Sequence, residues 1–388
     1  MTKFLKGRFH MSEMPSTEGM FLPQKLLLHK DPLNQFLETG TAFPIAFDID
    51  LTNSCNHNCP MCNGAREENR VDPTSHNIDR VREILSEMAE RGSKAVTFGG
   101  GGDPSVYPHY KEALQHAHKV GLDVGTYTNG QALTRSLMET MVECCTWMRV
   151  SLDADGPEIY EIAHGMPASA FQRVLTNIKT LIEIRREKKR EDKLTISTCY
   201  LIGPKTLKGV NKATGMSKDM GVDYIRIRPY FQRPGDERTR LEVDETIKIL
   251  EGCKKDHETE NFKVTFPSYK MDWMDNRERG RKYKKCYGVH FMASITPDGT
   301  VYPCCQLKER CHKLGNIYDK NFSEIWDTEK RQGISDEINF KVCPNPCNFE
   351  QQNELLWDLK ESGVSLAEFE KSKGWDFTEA DFTHVNFI

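Results

Sequence analysis

Six short apolar segments alternate with helix-patterned stretches between residues 45 and 229, and this alternation constrains the fold more than any other feature of the chain. The segments are "IAFDIDLT" (45–52), "AVTFGG" (95–100), "DVGTYTN" (123–129), "MRVSLD" (148–153), "LTISTCYL" (194–201) and "DYIRIRP" (223–229). In the first interval, "NIDRVREILSEMAERG" sets Ile78, Val81, Ile84, Leu85 and Met88 at helical spacing. "PHYKEALQHAHKVG" is a second helical interval. Alternation of this kind implies parallel β–α units. Six units are fewer than a closed eight-fold barrel needs, which leaves an open partial barrel or a doubly wound sheet. The charged run "IKTLIEIRREKKREDK" continues a helix pattern, so it reads as a solvated helix face and not as an RNA patch.

Beyond the sixth strand the pattern changes. Residues 233–285 are polar and read as a helical connector. In "FMASITPDGTVYPCCQ" two apolar segments flank a turn, where Pro297 presets φ and Gly299 tolerates positive φ, so a hairpin is expected. A helix follows at "FSEIWDTEKRQGI", and another is expected near "NELLWDLKES" in the tail 351–388. That tail either covers a barrel mouth or packs passively.

Net charge is −4 over 388 residues, which gives no electrostatic footprint for nucleic acid or an anionic membrane. "MTKFLKGRFHMSEMPSTEG" lacks the apolar core of a secretory signal, and no apolar run approaches the roughly 18 residues of a membrane helix. A soluble cytoplasmic protein is expected. The 13 cysteines, an odd count without an export signal, then point to metal ligation or redox chemistry instead of disulfides. Three cluster at 55–62, six lie between 286 and 347, and Cys144, Cys145, Cys199 and Cys253 are scattered.

"LTNSCNHNCPMCNGA" (51–65) places Cys55, Cys59 and Cys62 directly after the first strand, at the end where β–α folds carry their active sites. Structural zinc takes four ligands in closed geometry. Three thiolates therefore either find a fourth ligand, His57 being one within the loop, or hold a [4Fe–4S] cluster with one iron left open.

C-x-x-x-C-x-x-C after strand one of a partial β–α barrel resembles the signature of the radical SAM superfamily. The position before the third cysteine, usually aromatic there, is Met61. "TFGGGGDPSVYP" resembles the family's Gly-Gly-Glu-Pro motif, matched here by Gly101, Gly102, Asp103 and Pro104. "YTNGQALT", with Asn129, and "SLDADGPEIYEIAHG" are also similar to this superfamily's barrel. The resemblance implies an α/β fold, a partial (β/α)6 TIM-like barrel over 45–232, preceded by an extension at 1–44. It implies a [4Fe–4S] cluster on Cys55, Cys59 and Cys62 whose open iron chelates S-adenosylmethionine (SAM). Ser151 and Asp153 would then approach the ribose or carboxylate of SAM; helix capping, with Asp155 before Pro157, is the other reading. Arg226 and Arg228 share one alternation phase and suit either a carboxylate of SAM or substrate, or a salt bridge inside the barrel.

The later cysteines carry a second resemblance. Cys286, Gly299 and Cys304 are similar to the opening C-x(9–15)-G-x(4)-C of the twitch and SPASM auxiliary-cluster domains, and Cys343 and Cys347 would complete four ligands. A small α+β domain over 286–350 holding one auxiliary [4Fe–4S] cluster, the shorter twitch form, is expected, because the longer SPASM cysteine block is missing. Zinc also fits four cysteines by count. Cys305, Cys311 and Cys199 are candidates for a hydrogen-atom donor or for plain buried thiols.

Together these resemblances imply an oxidoreductase that cleaves SAM to a 5′-deoxyadenosyl radical and abstracts hydrogen from a small polar metabolite, such as a sugar, aminocyclitol or nucleoside. An auxiliary cluster would accept an electron, favouring dehydrogenation, and a flavodoxin- or ferredoxin-type protein would supply the reductant. Peptide-modifying members often carry a leader-binding domain longer than the segment before strand one here, which tilts the reading toward a small substrate. A peptide maturase or an epimerase with a cysteine donor is the alternative. A non-catalytic iron–sulfur electron carrier is a third, which would have no use for the glycine motif.

Overall fold

The structure, a computed structural model, describes residues 20–62, 73–230, 241–267, 280–306, 308, 312–341, 343 and 347–388. All six expected strands form: β1 (Ala46–Ile49), β2 (Ala95–Phe98), β3 (Asp123–Thr128), β4 (Trp147–Ser151), β5 (Thr195–Ile202) and β6 (Tyr224–Pro229). Each pairs in parallel with the next. The helices between them form where the apolar period is 3.6. In Ile78–Glu90, Val81, Ile84, Leu85 and Met88 are buried, and the Asn77 side chain caps the N–H groups of Asp79 and Arg80. The charged run, 178–193, begins in the helix Ala168–Glu187, which buries Val174, Ile178, Leu181 and Ile182 against the sheet, and its last six residues pass through turns beyond the helix. The helix Pro157–His164 starts after Gly156 with no side-chain cap, so Asp155 does not take the capping role.

The sheet is longer than the sequence pattern indicates. The connector after β6 holds the helix Val243–His257 and then a strand, β7 (Lys263–Thr265), parallel to β6. Three residues are too few to show a period, so a reading by pattern sees only a polar connector there. At the opposite edge, the expected hairpin forms from β8 (Met292–Ile295) and β9 (Thr300–Tyr302), with Gly299 at φ +85° in its turn. β8 also lies parallel to β1, with Asp48 opposite Ser294. β10 (Gly315–Asn316) completes a ten-stranded order, β10-β9-β8-β1-β2-β3-β4-β5-β6-β7. The hairpin therefore continues the barrel wall itself.

Strand alternation divides the side chains sharply. Phe47, Ile49, Val96, Phe98, Val150 and Ile225 point to the helices and join the main core. The opposite phase faces the lumen with polar groups, among them Asp48, Tyr127, Arg149, Ser197, Arg226 and Arg228. Closed eight-fold barrels fill this space with branched apolar residues. Here Tyr127, on a strand flanked by neighbours on both sides, keeps 39% of its surface exposed, so the lumen is open to solvent.

The floor of the lumen is built by both ends of the described chain. Phe387 meets Trp147 edge-on at 5.4 Å, His384 Nε2 lies 2.9 Å from Thr195 Oγ1, and Asn386 donates to Asp123 at 2.8 Å. These partners begin β3, β4 and β5, so the tail closes the end opposite the cysteine loop. Lys25 ties the two ends together, donating to Met20 O at 2.8 Å and His384 O at 3.4 Å. No described helix is long and apolar enough to cross a membrane.

Burial pushes Lys25 from an ordinary 10.5 down to about 7. Between those values the folded protein binds fewer protons than the unfolded chain, so this group makes stability rise with pH over that window. Lys25→Met is expected to flatten the rise in urea-unfolding free energy from about pH 7 to about pH 10. An unchanged slope would show that the ammonium stays hydrated.

Candidate active site and auxiliary metal centre

The triad loop leaves β1 and is held by backbone bonds from the glycine loop after β2. Gly102 N donates to Thr52 O at 2.9 Å and Asp103 N to Ser54 O at 3.0 Å. A Cβ on Gly102 would lie 1.8 Å from Ser54 O, so only glycine permits this approach. Gly100 and Gly101 have φ of +87° and +36°, the region glycine adopts without strain. The carboxylate of Asp103 accepts from Ser105 N at 2.9 Å, Ser105 Oγ at 2.5 Å, Thr128 Oγ1 at 3.1 Å and Asn129 N at 2.6 Å. Asp103 is therefore spent on joining the β2 and β3 loops, with Pro104 starting the short turn behind it. Of the four expected motif residues, Gly102 and Asp103 build the loop.

Cys55 is exposed, and Cys59 and Cys62 are half-buried. Burial raises the half-buried Cys59 thiol, and the Cys62 and Cys55 sulfurs raise it further, so the three groups share one electrostatic site. Hydrogen-bond donors surround it: His57 N reaches Cys55 Sγ at 3.4 Å and Asn129 Nδ2 at 3.9 Å. Asn129 also donates to Asn56 at 2.7 Å. Three soft thiols on one loop, with two N–H donors directed at Cys55, fit an iron–sulfur cluster.

His57, considered as a fourth ligand, turns into a network behind Cys59. Its Nε2 lies 2.8 Å from Gln131 Oε1 and its Nδ1 3.4 Å from His164 Nδ1. The ligand atoms of His57, Cys59 and His164 lie within 4.8 Å of one another. His164 Nε2 faces the Leu152 carbonyl at 3.1 Å, which can only accept, so that nitrogen carries the ring proton. Burial lowers His164 to about 3, leaving the ring neutral with Nδ1 as an acceptor 3.3 Å from Cys59 Sγ. The rings of His57 and His164 thus stand behind Cys59.

The remaining expected residues separate by role. Ser151, half-buried at the end of β4, makes no side-chain hydrogen bond among the described residues. Asp153 takes a left-handed φ of +48° and accepts from Leu201 N at 2.7 Å. Burial raises it to about 7 against the pull of that N–H and of Arg228. Arg226 stacks on Phe21 at 3.8 Å, and Arg228 donates to Asn348 at 3.3 Å, beside Cys347. Cys199 faces the lumen arginines, its thiol raised to about 11 chiefly by burial.

Cys286, Cys304, Cys343 and Cys347 line one cavity with Gly288, Val289, Ile338 and Phe349. Sulfur-directed donors come from Asn353 Nδ2 to Cys286, Gln306 N to Cys304 and Phe349 N to Cys347, each at 3.4 Å. Burial pushes Cys286 up to about 12, with Cys347 adding to it. Four thiols facing one apolar cavity become thiolates only against a metal's charge, so the set fits a four-cysteine iron–sulfur cluster. Cys305 is not in that lining. The Cys304 thiol and the Lys308 ammonium hold it down to about 6. Cys311 lies outside the described residues.

A further ion pair joins the two sites. Lys308 Nζ reaches buried Asp50 Oδ2 at 2.6 Å, and a Cβ on Gly100 would lie 2.2 Å from Asp50 Oδ1. Neither Lys308 nor His164 carried a signal in the sequence, because both act across long separations. Arg149 did carry one, sharing the phase of Ser151 on "MRVSLD".

A triad of thiols on an open loop above a polar lumen, with a four-thiol cavity beside it, describes a SAM-dependent iron–sulfur enzyme. The radical SAM superfamily profile matches residues 49–208, and that of the SPASM iron–sulfur cluster-binding domain matches 286–348. The chain belongs to the radical SAM superfamily and carries a SPASM domain in its C-terminal region. It is 26% identical over 297 residues to the AdoMet-dependent heme synthase of Methanosarcina barkeri, covering 72% of this chain and 80% of that protein. It is 31% identical over 267 residues to the PqqA peptide cyclase of Bradyrhizobium diazoefficiens, covering 67% and 66%. In fold it is similar to Streptococcus suis SuiB bound to S-adenosylmethionine, with a TM-score of 0.61, 14% identity and coverage of 79% and 71%. The cofactors are accordingly SAM, the [4Fe–4S] cluster that chelates it, and auxiliary iron–sulfur.

Asp103→Ala would strand the buried N–H of Asn129 and the partners at Ser105 and Thr128. A loss of about 2–4 kcal/mol in the unfolding free energy of the iron-free protein is expected. A loss below about 0.5 kcal/mol in chemical denaturation would show that water replaces the carboxylate.

Proposed function

We propose that this enzyme holds a small polar metabolite, of sugar, aminocyclitol or nucleoside type, in the barrel lumen and removes a hydrogen atom from it, for net dehydrogenation. The polar, solvent-open lumen beneath the triad loop carries this reading. When bound, the SAM-ligated cluster supplies a 5′-deoxyadenosyl radical as hydrogen acceptor, and the auxiliary cluster supplies an acceptor for the remaining electron.

The chain's own residues do the positioning. Cys55, Cys59 and Cys62 hold the first cluster, with Asn129 and the His57 N–H directed at Cys55. Backbone at Gly101 and the hydroxyl of Ser151, which makes no side-chain hydrogen bond among the described residues, are the groups assigned to SAM. Cys286, Cys304, Cys343 and Cys347 hold one auxiliary cluster on the other side of β1 and β8. The lumen floor excludes bulk water from below, and Cys305 lies next to the auxiliary ligand Cys304. A flavodoxin- or ferredoxin-type protein suits the reducing partner. A peptide substrate is the second reading, favoured by the similarity to a PqqA peptide cyclase.

Anaerobic protein with verified iron loading, SAM and dithionite should form 5′-deoxyadenosine, and the Cys55/Cys59/Cys62→Ala variant should form none. Equal product from both would remove the triad from the chemistry. Stimulation of turnover by a screened metabolite pool, and not by peptides, decides between the two substrates.

A further inference from the structure

The lumen holds a cation with no carboxylate partner among the described residues. Arg149 on β4 is 8% exposed, and its Nη2 donates to Tyr224 OH at 2.9 Å. Its Nε meets no acceptor. The groups acting on it most strongly are the hydroxyls of Tyr224 and Tyr127 and the thiol of Cys199, with no carboxylate among them. The rings of Tyr127, Trp147 and Tyr224 lie 5.3, 5.6 and 5.8 Å from its guanidinium carbon, close to the outer limit of about 6 Å for a cation–π contact. No described carboxylate pairs with it. A buried guanidinium left this way is penalised unless an anion reaches it.

The register sets the level of the site. Arg149 stands opposite Tyr127 on one side and Ser197 on the other, and Ser197 stands opposite Tyr224. Arg226 belongs to the next level up, with Ser151 and Cys199, and Arg228 to the one above it. Arg149 is thus two residues below Ser151, about 7 Å deeper than the strand ends. Solvent reaches this depth, since Tyr127 at the same level is 39% exposed. The lumen carboxylates are otherwise engaged: Asp50 with Lys308, and Asp153 with Leu201 N. Burial pushes Asp48 well above the usual carboxylate range. The β4–β6 wall is therefore positive and Arg149 is its unpaired member.

We infer that Arg149, with Arg226 and Arg228 above it, receives an oxyanion of the substrate, a carboxylate or a phosphate. The rest of the molecule is then directed upward to the triad loop. This rests on the reading of the lumen as the substrate chamber. A planar guanidinium fork suits both oxyanions.

The test uses the cluster-loaded, full-length protein with benzoate and phenyl phosphate as probes and neutral benzamide as control. Tryptophan fluorescence, with Trp147 beside Arg149, and calorimetry would read binding. At least one oxyanion should bind saturably and benzamide should not; which one binds names the source. Saturating SAM should leave that binding in place, and Arg149→Gln should weaken it at least tenfold. If the glutamine variant fails to fold, Arg149→Lys, which keeps the charge and loses the fork, should still weaken it at least threefold. The inference is overturned by absence of oxyanion binding, by equal binding in the variants, or by displacement with SAM. Formation of 5′-deoxyadenosine by the same wild-type preparation reports on the radical reading alone, so the two can fail separately.

Discussion

The parallel pairing of β1 with β8 holds the two halves of the molecule in one frame. Ala46 to Ile49 lie opposite Met292 to Ile295, while the other edge of β1 bonds to β2. β1 runs directly into the triad cysteines, and β8 turns through β9 into Cys304. Two thiol sites remote in sequence are therefore placed by hydrogen-bonded backbone on either side of one strand. The Asp50–Lys308 pair crosses the same seam, where low dielectric strengthens it.

Electrostatics in this protein is organised by layers. Thiols sit at the strand ends and in the auxiliary cavity, raised by burial and by one another until a metal charge offsets them. Beneath them lie carboxylates already paired, hydrogen-bonded or raised by burial, and then a wall of arginines. The floor is aromatic, with Trp147 on Phe387 and Tyr224 near Phe21. Among the described residues the floor is closed, which leaves the cysteine side for a polar guest.

The six parallel strands, the helix at Ile78–Glu90 and the Pro297–Gly299 hairpin were legible in the sequence because each rests on a local period or a turn residue. The four auxiliary cysteines were legible by spacing, and one cavity gathers them. What escaped was long-range. β7 is too short to show alternation, and the β8–β1 pairing joins segments with no shared pattern. Asp103 reads locally as a ligand-facing acid, yet its partners at Thr128 and Asn129 come from another loop. The support of Cys59 by His164 depends on how two loops fold over each other.

The placement of β8 also bears on how the chain is made. β1 ends at Ile49 and its second partner begins at Met292, so 242 residues lie between them. At ribosomal rates of about 5–20 residues per second, that interval is on the order of 10–50 s. Throughout it, one edge of β1 presents unpaired N–H and C=O groups to whatever is near, the situation that promotes edge-to-edge aggregation. The emerging barrel thus has a built-in need for shielding during synthesis, and production of the protein should respond to translation speed and to chaperone supply more than its final stability suggests.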